Sequence, residues 1–395
     1  MIRRTLPALL VAVAVLFWAA GAIPPARAQS ATAWFRYGEE ATQSWHFAQT
    51  PDDPLRISVW PRFSSVPSRR IMVLYPRPSS AYDIAITKIL QVFAEKDIDA
   101  AFTVVNFSNE DARGQAAIDL AERDKFDLIF AMGSESTAWL YQHYRGREIP
   151  VVSVCSKDPV ELRQIRDYDS SSGTNFAFTS LNTPIEVQMA YIRELRPHLR
   201  NVAILVDGKN VSAMQTQAAP MAEAARRLNI KVLDVVVQTP ANARAELKTL
   251  VADAVRVMKR SDPGLANSVF WVTGSTSVFT EIDVINEQAD RVPVISAVPE
   301  VVRPGNDSAA LSIGVSFESN GHLAAIYAAE VLLGRAKAGD LKVGIVSPPD
   351  IAINFRKARD IGLAVPFSFF ENAAYVYDYD GRMVRGNAHT PDGGG

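Results

Sequence analysis

The sequence predicts an α/β protein of two similar lobes, each built on a parallel sheet, with a cleft between them. Three observations carry this expectation. First, an apolar run from Leu128 to Ala131 halts at Met132-Gly133, and Ser134-Glu135-Ser136-Thr137 follows. A helix-length segment with Trp139, Leu140, Tyr141 and Tyr144 comes next; Pro150 then opens a second apolar run, Val151 to Val154, ending in Cys155-Ser156-Lys157-Asp158. Unbroken apolar runs suit strands buried on both faces, as in a parallel sheet covered by helices. Second, residues 269–298 repeat apolar run, Gly, Ser/Thr loop, helix, Pro and apolar run in the same order. Gly133 and Gly274 stand 141 residues apart, Pro150 and Pro293 143 apart. Third, residues 71–82 (IMVLYPRPSSAY) are echoed by 202–214 (VAILVDGKNVSAM). At 395 residues the chain also exceeds the usual limit of one core.

The chain opens with Arg3 and Arg4, an apolar stretch from Leu6 to Ile23, and Ala26-Arg27-Ala28 before Gln29. That is the pattern of a cleavable signal peptide over residues 1–28. A membrane anchor is the alternative, since the run is about long enough to span; the A-x-A site and Pro24-Pro25 favour cleavage. Removal takes three arginines and moves the formal charge from −2 to −5. No cysteine stands at the cleavage site to carry a lipid, so a free periplasmic protein with no stable membrane insertion is expected from a Gram-negative host. Residues 29–69 fit neither repeat. They hold Trp34, Phe35, Tyr37, Trp45, Phe47, Trp60 and Phe63, too many aromatics for a disordered linker. They read as an extension packed on the first lobe, with a partner-docking surface as the alternative.

From Arg70 the α/β pattern begins. Ile71–Tyr75 reads as a strand, and Pro76-Arg77-Pro78-Ser79-Ser80 as its loop, with serine suited to cap the next helix. Tyr82, Ile86, Ile89, Leu90 and Phe93 then share one helical face. Ala101–Val105 is a strand and Ala112–Arg123 a helix. The polar stretch 170–180 reads as a crossing between lobes, and Pro184 lies near the start of a helix running to about Leu195. The second half offers strands at 202–206, 231–237, 269–272 and 292–296, with helices near 212–228, 241–259 and 277–288. Ala309–Val315 reads as a strand, Ser316–Ser319 as a second crossing and Gly321–Leu333 as a helix; Ile351–Asn354 and a helix over Arg356–Ile361 close the fold. Asn387–Gly395 reads as a loose tail.

Composition excludes several classes. With a formal charge of −2 there is no basic excess to neutralise nucleic-acid phosphates. The single cysteine, Cys155, rules out an intrachain disulfide. As a nucleophile it has only Lys157 nearby and no histidine; a buried thiol is the better reading. The histidines (46, 143, 198, 322 and 389) form no i,i+4 pair, so no metal site is expected. No G-x-G-x-x-G, P-loop or G-x-S-x-G occurs, and no cofactor is expected.

Five segments in this order carry a resemblance: 147–161 (REIPVVSVCSKDPVE), 178–197 (FTSLNTPIEVQMAYIRELRP), 201–213 (NVAILVDGKNVSA), 314–335 (GVSFESNGHLAAIYAAEVLLGR) and 353–373 (INFRKARDIGLAVPFSFFENA). They resemble the type I periplasmic binding proteins, and more narrowly the ABC-transporter substrate-binding proteins of the tryptophan/tyrosine-binding family. The resemblance spans about Arg70 to Ala373. It implies two Rossmann-like lobes joined by three crossovers, closing on a small ligand, and no catalysis. The aromatic extension departs from the family pattern. The expected organisation is a signal peptide (1–28), the extension (29–69), lobe 1 (70–176 plus about 316–345), lobe 2 (177–315 plus about 346–373) and a C-terminal tail (374–395).

Ligands of such sheets sit beyond the carboxyl ends of the strands. The candidate binding residues in lobe 1 are therefore Arg77, Ser79, Ser80, Tyr82, Ser134, Glu135, Ser136, Thr137, Ser156 and Asp158. In lobe 2 they are Asp207, Asn210, Ser212, Thr273, Ser275, Thr276, Glu300, Phe317 and Glu318. Hydroxyls and helix-start N–H groups can hold a carboxylate, and Asp207 or Glu135 an ammonium. Tyr82, Trp139 and Phe317 offer aromatic walls. Taken singly, each serine or threonine reads better as a helix cap, and Trp139 as a core residue. The leading reading is a periplasmic solute-binding protein that captures a small organic solute, amino-acid-like or aromatic, for an ABC permease. The alternative is a ligand-sensing module that docks on a membrane receptor or sensor kinase. An exported α/β enzyme comes last, for want of a nucleophile–base pair or metal set.

Overall fold

The computed structural model describes residues 29–63 and 68–386; the expected signal peptide and the tail from Asn387 lie outside the described residues. Strands β1 (Gln29–Thr32) and β2 (Phe35–Tyr37) form an antiparallel ribbon. Helix α1 (Ala41–Ser44) leads into the hairpin β3 (Trp45–Thr50) and β4 (Asp53–Pro61). Next come β5 (Arg69–Tyr75), α2 (Ser80–Glu95), β6 (Ala100–Asn106), α3 (Asp111–Arg123), β7 (Leu128–Met132), α4 (Gly133–His143), β8 (Val151–Val154) and β9 (Phe176–Ala177). Strands β3 to β9 make a seven-stranded sheet in the order β3-β4-β6-β5-β7-β8-β9.

After the first crossing come α5 (Ile185–Leu195), β10 (Asn201–Asp207), α6 (Val211–Ala213), a π-helical turn (Met214–Ala218) and α7 (Ala219–Arg227). They are followed by β11 (Lys231–Val237), α8 (Ala243–Ser261), β12 (Ser268–Val272), α9 (Thr276–Phe279), α10 (Ile282–Gln288), β13 (Val294–Ser296) and β14 (Leu311–Gly314). Helix α11 (Phe317–Leu332) returns to lobe 1 and packs along α2. The chain then re-enters lobe 2 with β15 (Asp350–Asn354), α12 (Phe355–Asp360), α13 (Phe367–Glu371), β16 (Ala373–Tyr377) and β17 (Met383–Arg385). The second sheet runs β11-β10-β12-β13-β14-β15-β16-β17.

Both sheets are covered on both faces, which is why their strands read as apolar runs. In lobe 1, Ile71, Val73 and Tyr75 face α2, whereas Met72, Leu74, Ile129 and Ala131 face α3 and α4. In lobe 2, Val202, Ile204 and Trp271 pack under α5 and α7, and Ala203, Leu205 and Phe270 under α8. The duplicated unit is parallel, as expected. The sheets as wholes are mixed, because the added strands pair antiparallel: β3 with β4, β4 with β6, β14 with β15 and β16 with β17. The aromatic extension is thus partly sheet. From 374 onward, Val376 and Tyr377 are buried and β16 and β17 extend the second sheet.

Three segments pass between the lobes side by side. Ser180 N–H donates to Gly344 (2.8 Å), Gly344 N–H to Phe178 (2.8 Å), and Ser316 N–H to the Asp350 carboxylate (2.8 Å). The first crossing begins later than the polar stretch 170–180 suggests. Phe176 and Ala177 are buried and pair with β8, and Gly173 N–H bonds Gly339, keeping the stretch on lobe 1. The helix expected at 277–288 breaks into α9 and α10. Among the described residues no helix is long and apolar enough to cross a membrane.

Candidate ligand-binding cleft

The carboxyl ends of β5, β7 and β8 in lobe 1 face those of β10 and β12 in lobe 2, and side chains bridge the gap. Gln215 Nε2 donates to the Glu161 carbonyl (2.6 Å). Asn182, on the first crossing, donates to the Thr216 carbonyl (3.1 Å) and hydroxyl (2.9 Å). Lys157 Nζ from lobe 1 reaches the Gly274 backbone so closely that a Cβ there would overlap it. Gly274 N–H in turn donates to Gln217 Oε1 (2.8 Å).

The lobe 1 wall is built outward from β5. Trp34 and Phe35 of the extension pack on Tyr75 at ring distances of 5.8 and 6.0 Å, and Tyr75 meets Tyr82 edge-on at 5.4 Å. Tyr82 then lies over Gly133, whose φ of +77° and missing side chain leave room for the phenol. Beside it Arg77 pairs with Glu135 at 3.3 Å, both about half exposed. The β8 loop turns at Cys155, a non-glycine residue with φ +52°. Such a conformation costs about 1–2 kcal/mol. Asn320 of α11 holds it by accepting the Cys155 N–H (2.7 Å) and donating to Ser180 (3.1 Å), which also ties the wall to the crossing.

Next on that loop is Lys157, only 7% exposed. Its backbone N–H donates to Ser134 Oγ (2.9 Å), but its ammonium makes no ion pair or hydrogen bond among the described residues. Burial pushes its pKa down to about 8, against weaker support from Cys155 and Glu135. Burial also pushes the Cys155 thiol well up, so it stays protonated and inert. In lobe 2, burial raises Glu300 to about 8. One Glu300 oxygen accepts the Phe317 N–H (2.7 Å), and the other is buried without a partner. The Ser156 hydroxyl is likewise buried and partnerless.

Many candidate residues are engaged within their own loops. Ser136 donates to the Leu74 carbonyl (2.9 Å) and Thr137 to that of Gly133 (2.8 Å). Asp158 caps Val160 and Glu161 with one oxygen and takes the Tyr168 hydroxyl with the other. Asp207 accepts the Lys209 N–H (2.7 Å) and the Ser277 hydroxyl (2.7 Å). Asn210 caps α6 through Ala213 N–H (3.1 Å) and takes the Ser212 hydroxyl (3.0 Å). Thr273 donates to Leu205 (2.9 Å), and Ser275 accepts the Asp207 N–H (3.3 Å). Ser79 occupies the N-cap of α2, but its hydroxyl makes no capping bond, contrary to the sequence expectation; Ser80 and Thr276 are exposed. Glu318 pairs with Lys88 (3.1 Å) in a groove of about 550 Å³ flanking the second and third crossings. Trp139 donates to Asp111 (2.8 Å) and packs on Phe107, on the far face of lobe 1.

The residues that sequence reasoning passed over are Lys157, Asn182, Thr216, Gln217, Ser277 and Asn320. Lys157 stands in the β8 strand-end loop, where a lysine reads as solvated. The others are single polar residues whose partners lie 34 to 165 positions away.

Two α/β lobes, three side-by-side crossings and strand-end loops meeting across a gap define a type I periplasmic binding protein. The chain belongs to the family described as ABC transporter substrate binding protein, whose model matches residues 76–376. No curated protein sequence matches it. Among solved structures it is similar to a conserved domain protein from Vibrio cholerae (17% identity, 78% of this chain and 99% of the other, TM-score 0.61). It is also similar to a ligand-free, open substrate-binding protein with adhesive properties from Clostridium difficile (19%, 77% and 98%, TM-score 0.58). A third is an ABC domain in complex with L-Trp from Streptococcus pneumonia (17%, 78% and 99%, TM-score 0.60). At these identities the likeness is one of fold.

Proposed function

We propose that the protein captures a small organic solute in the interlobe cleft and, closed around it in the periplasm, delivers it to an ABC permease. Family membership supports solute binding. The observation that carries the reading for this cleft is a set of unpartnered groups at its walls: the buried Ser156 hydroxyl and one buried oxygen of Glu300, with the ammonium of Lys157, a residue 7% exposed, which makes no ion pair among the described residues. Buried polar groups are nearly always satisfied, and a guest molecule between the lobes satisfies them here. Tyr82 and Phe317 supply apolar cover. The L-Trp held by the Streptococcus pneumonia structure makes aromatic amino acids the first probes.

The test is a thermal-shift and calorimetric screen of amino acids and small organic acids on the mature chain, with small-angle scattering to read closure. A solute that raises the melting temperature by several degrees, as mass action requires near a hundredfold excess over Kd, and shrinks the radius of gyration is expected. The reading fails if nothing in the screen binds and nothing co-purifies by native mass spectrometry.

A further inference from the structure

We propose that the solute carries an acidic group and that the Lys157 ammonium is its counter-ion in the closed cleft. This rests on the reading of the cleft as the solute site and adds the chemical class of the solute. Lys157 is more than nine-tenths buried, and every nearby anion is accounted for. Glu135 is held by Arg77 at 3.3 Å, and the Cys155 thiol is neutral. A buried cation without a partner is costly, and proteins either pair such a charge or neutralise it. The ammonium stays mostly charged at neutral pH, since its pKa falls only to about 8.

The surroundings fit an anion. The Lys157 side chain points at lobe 2, where Gly274 leaves space for its tip and Gln217 holds the Gly274 backbone. The adjacent Ser156 hydroxyl is buried and free to donate. Helix α4, eleven residues long, starts at Gly133, and its Ser134 hydroxyl accepts the Lys157 backbone N–H, which fixes the loop from which the side chain extends. A carboxylate there meets an unpaired ammonium, next in sequence to a residue whose hydroxyl is unpartnered. Because Lys157 comes from lobe 1 and touches lobe 2, the pairing is completed by closure.

Matched acid and amide pairs test this: L-tryptophan with L-tryptophanamide, L-tyrosine with L-tyrosinamide, and phenylacetate with phenylacetamide, each titrated by calorimetry into wild type, K157M and K157R. For wild type an acid is expected to bind about 10- to 100-fold more tightly than its amide, the scale of a charge-assisted bond. K157M is expected to fold, to bind both partners at the amide's affinity and so to lose the discrimination; K157R keeps part of it. K157Q serves in place of K157M if the latter does not fold. Discrimination that survives K157M and K157Q overturns the proposal, as does amide binding equal to acid binding in wild type; in both cases solute capture stands. If neither member of any pair binds wild type, the proposal falls; solute capture falls with it only if the wider screen and native mass spectrometry also find nothing.

Discussion

Gly133 and Gly274 occupy the same place in the two halves of the chain, each just past the end of the third strand of its parallel set, yet they serve different ends. Gly133 has φ +77° and lies under the Tyr82 phenol, inside a wall that also contains Tyr75 and the aromatic extension. Gly274 has no unusual φ; what fills its side-chain space is the tip of Lys157, from the opposite lobe. The surrounding polar groups follow the same division. In lobe 2, Asp207, Asn210, Thr273, Ser275 and Ser277 satisfy one another or nearby backbone. In lobe 1, Lys157 and Ser156 are left unsatisfied. One loop design thus leaves unpaired groups on the β8 loop of lobe 1, while the β10 and β12 loops of lobe 2 satisfy themselves and the unpaired oxygen of that lobe belongs to Glu300, near the second crossing.

The largest effect expected is from Gly133→Ala. The new Cβ takes a left-handed backbone and lands on a buried tyrosine, with the ring carbon Cζ at 2.7 Å. Backbone strain and overpacking together are expected to cost about 2–4 kcal/mol, read as a loss in denaturant midpoint or melting temperature. Gly274→Ala meets only the mobile end of a lysine, with Gln217 Oε1 next at 3.4 Å, so its stability is expected within about 1 kcal/mol of wild type. Its effect should appear in solute affinity, weakened several-fold because the displaced ammonium obstructs closure. Equal stability losses at the two glycines would break the comparison. An unchanged affinity for Gly274→Ala would show that Lys157 is placed without reference to lobe 2.

Asp207 illustrates what the sequence could and could not convey. Strands β5, β7, β8, β10 and β12 were legible as apolar runs because helices cover both faces, and the repeat made the two lobes legible. That Asp207 ends β10 in a loop facing the cleft was also readable. That its two oxygens are taken by the Lys209 N–H and the Ser277 hydroxyl was not, since Ser277 is 70 residues away. Asp207→Ala therefore reads on stability as well as on affinity. About 1–2 kcal/mol of stability is expected to go with those bonds, checked by urea titration beside calorimetry. Lys157 was hidden for the opposite reason. A lysine in a polar loop reads as solvated, and its burial depends on a second lobe that begins some twenty residues later. Of the hairpin β3–β4, the second strand was legible in LRISVW (55–60); β3 was not, because it is largely half exposed, and only the pairing of β4 with β6 reveals that the extension completes the sheet.

The last effects expected are in pH dependence, where Glu300 and Lys157 act with opposite sign. Glu300, from lobe 2, ordinarily titrates at 4.5 and is raised to about 8, chiefly by burial and further by Asp350 and Glu318, against the Phe317 N–H. Below 4.5 the folded and unfolded states are both protonated. Between 4.5 and 8 the unfolded state releases its proton first, so stability is lost as pH rises through this window. Asp83, at the start of α2, adds to the same fall because burial raises it from 3.8 to about 7. Lys157 acts the other way and elsewhere. Lowered from 10.5 to about 8, it binds its proton less well folded than unfolded, so stability rises between 8 and 10.5. In solute-free protein, Glu300→Gln is expected to reduce the fall in melting temperature from pH 5 to 8, leaving the share due to Asp83, and Lys157→Met to flatten the profile above 8. An acidic solute should act on the second window alone: by holding the ammonium charged, it removes the gain above pH 8 while leaving the slope due to Glu300 in place. A solute that flattens the Glu300 window instead would move the recognised charge to lobe 2 and reverse the division between the two walls.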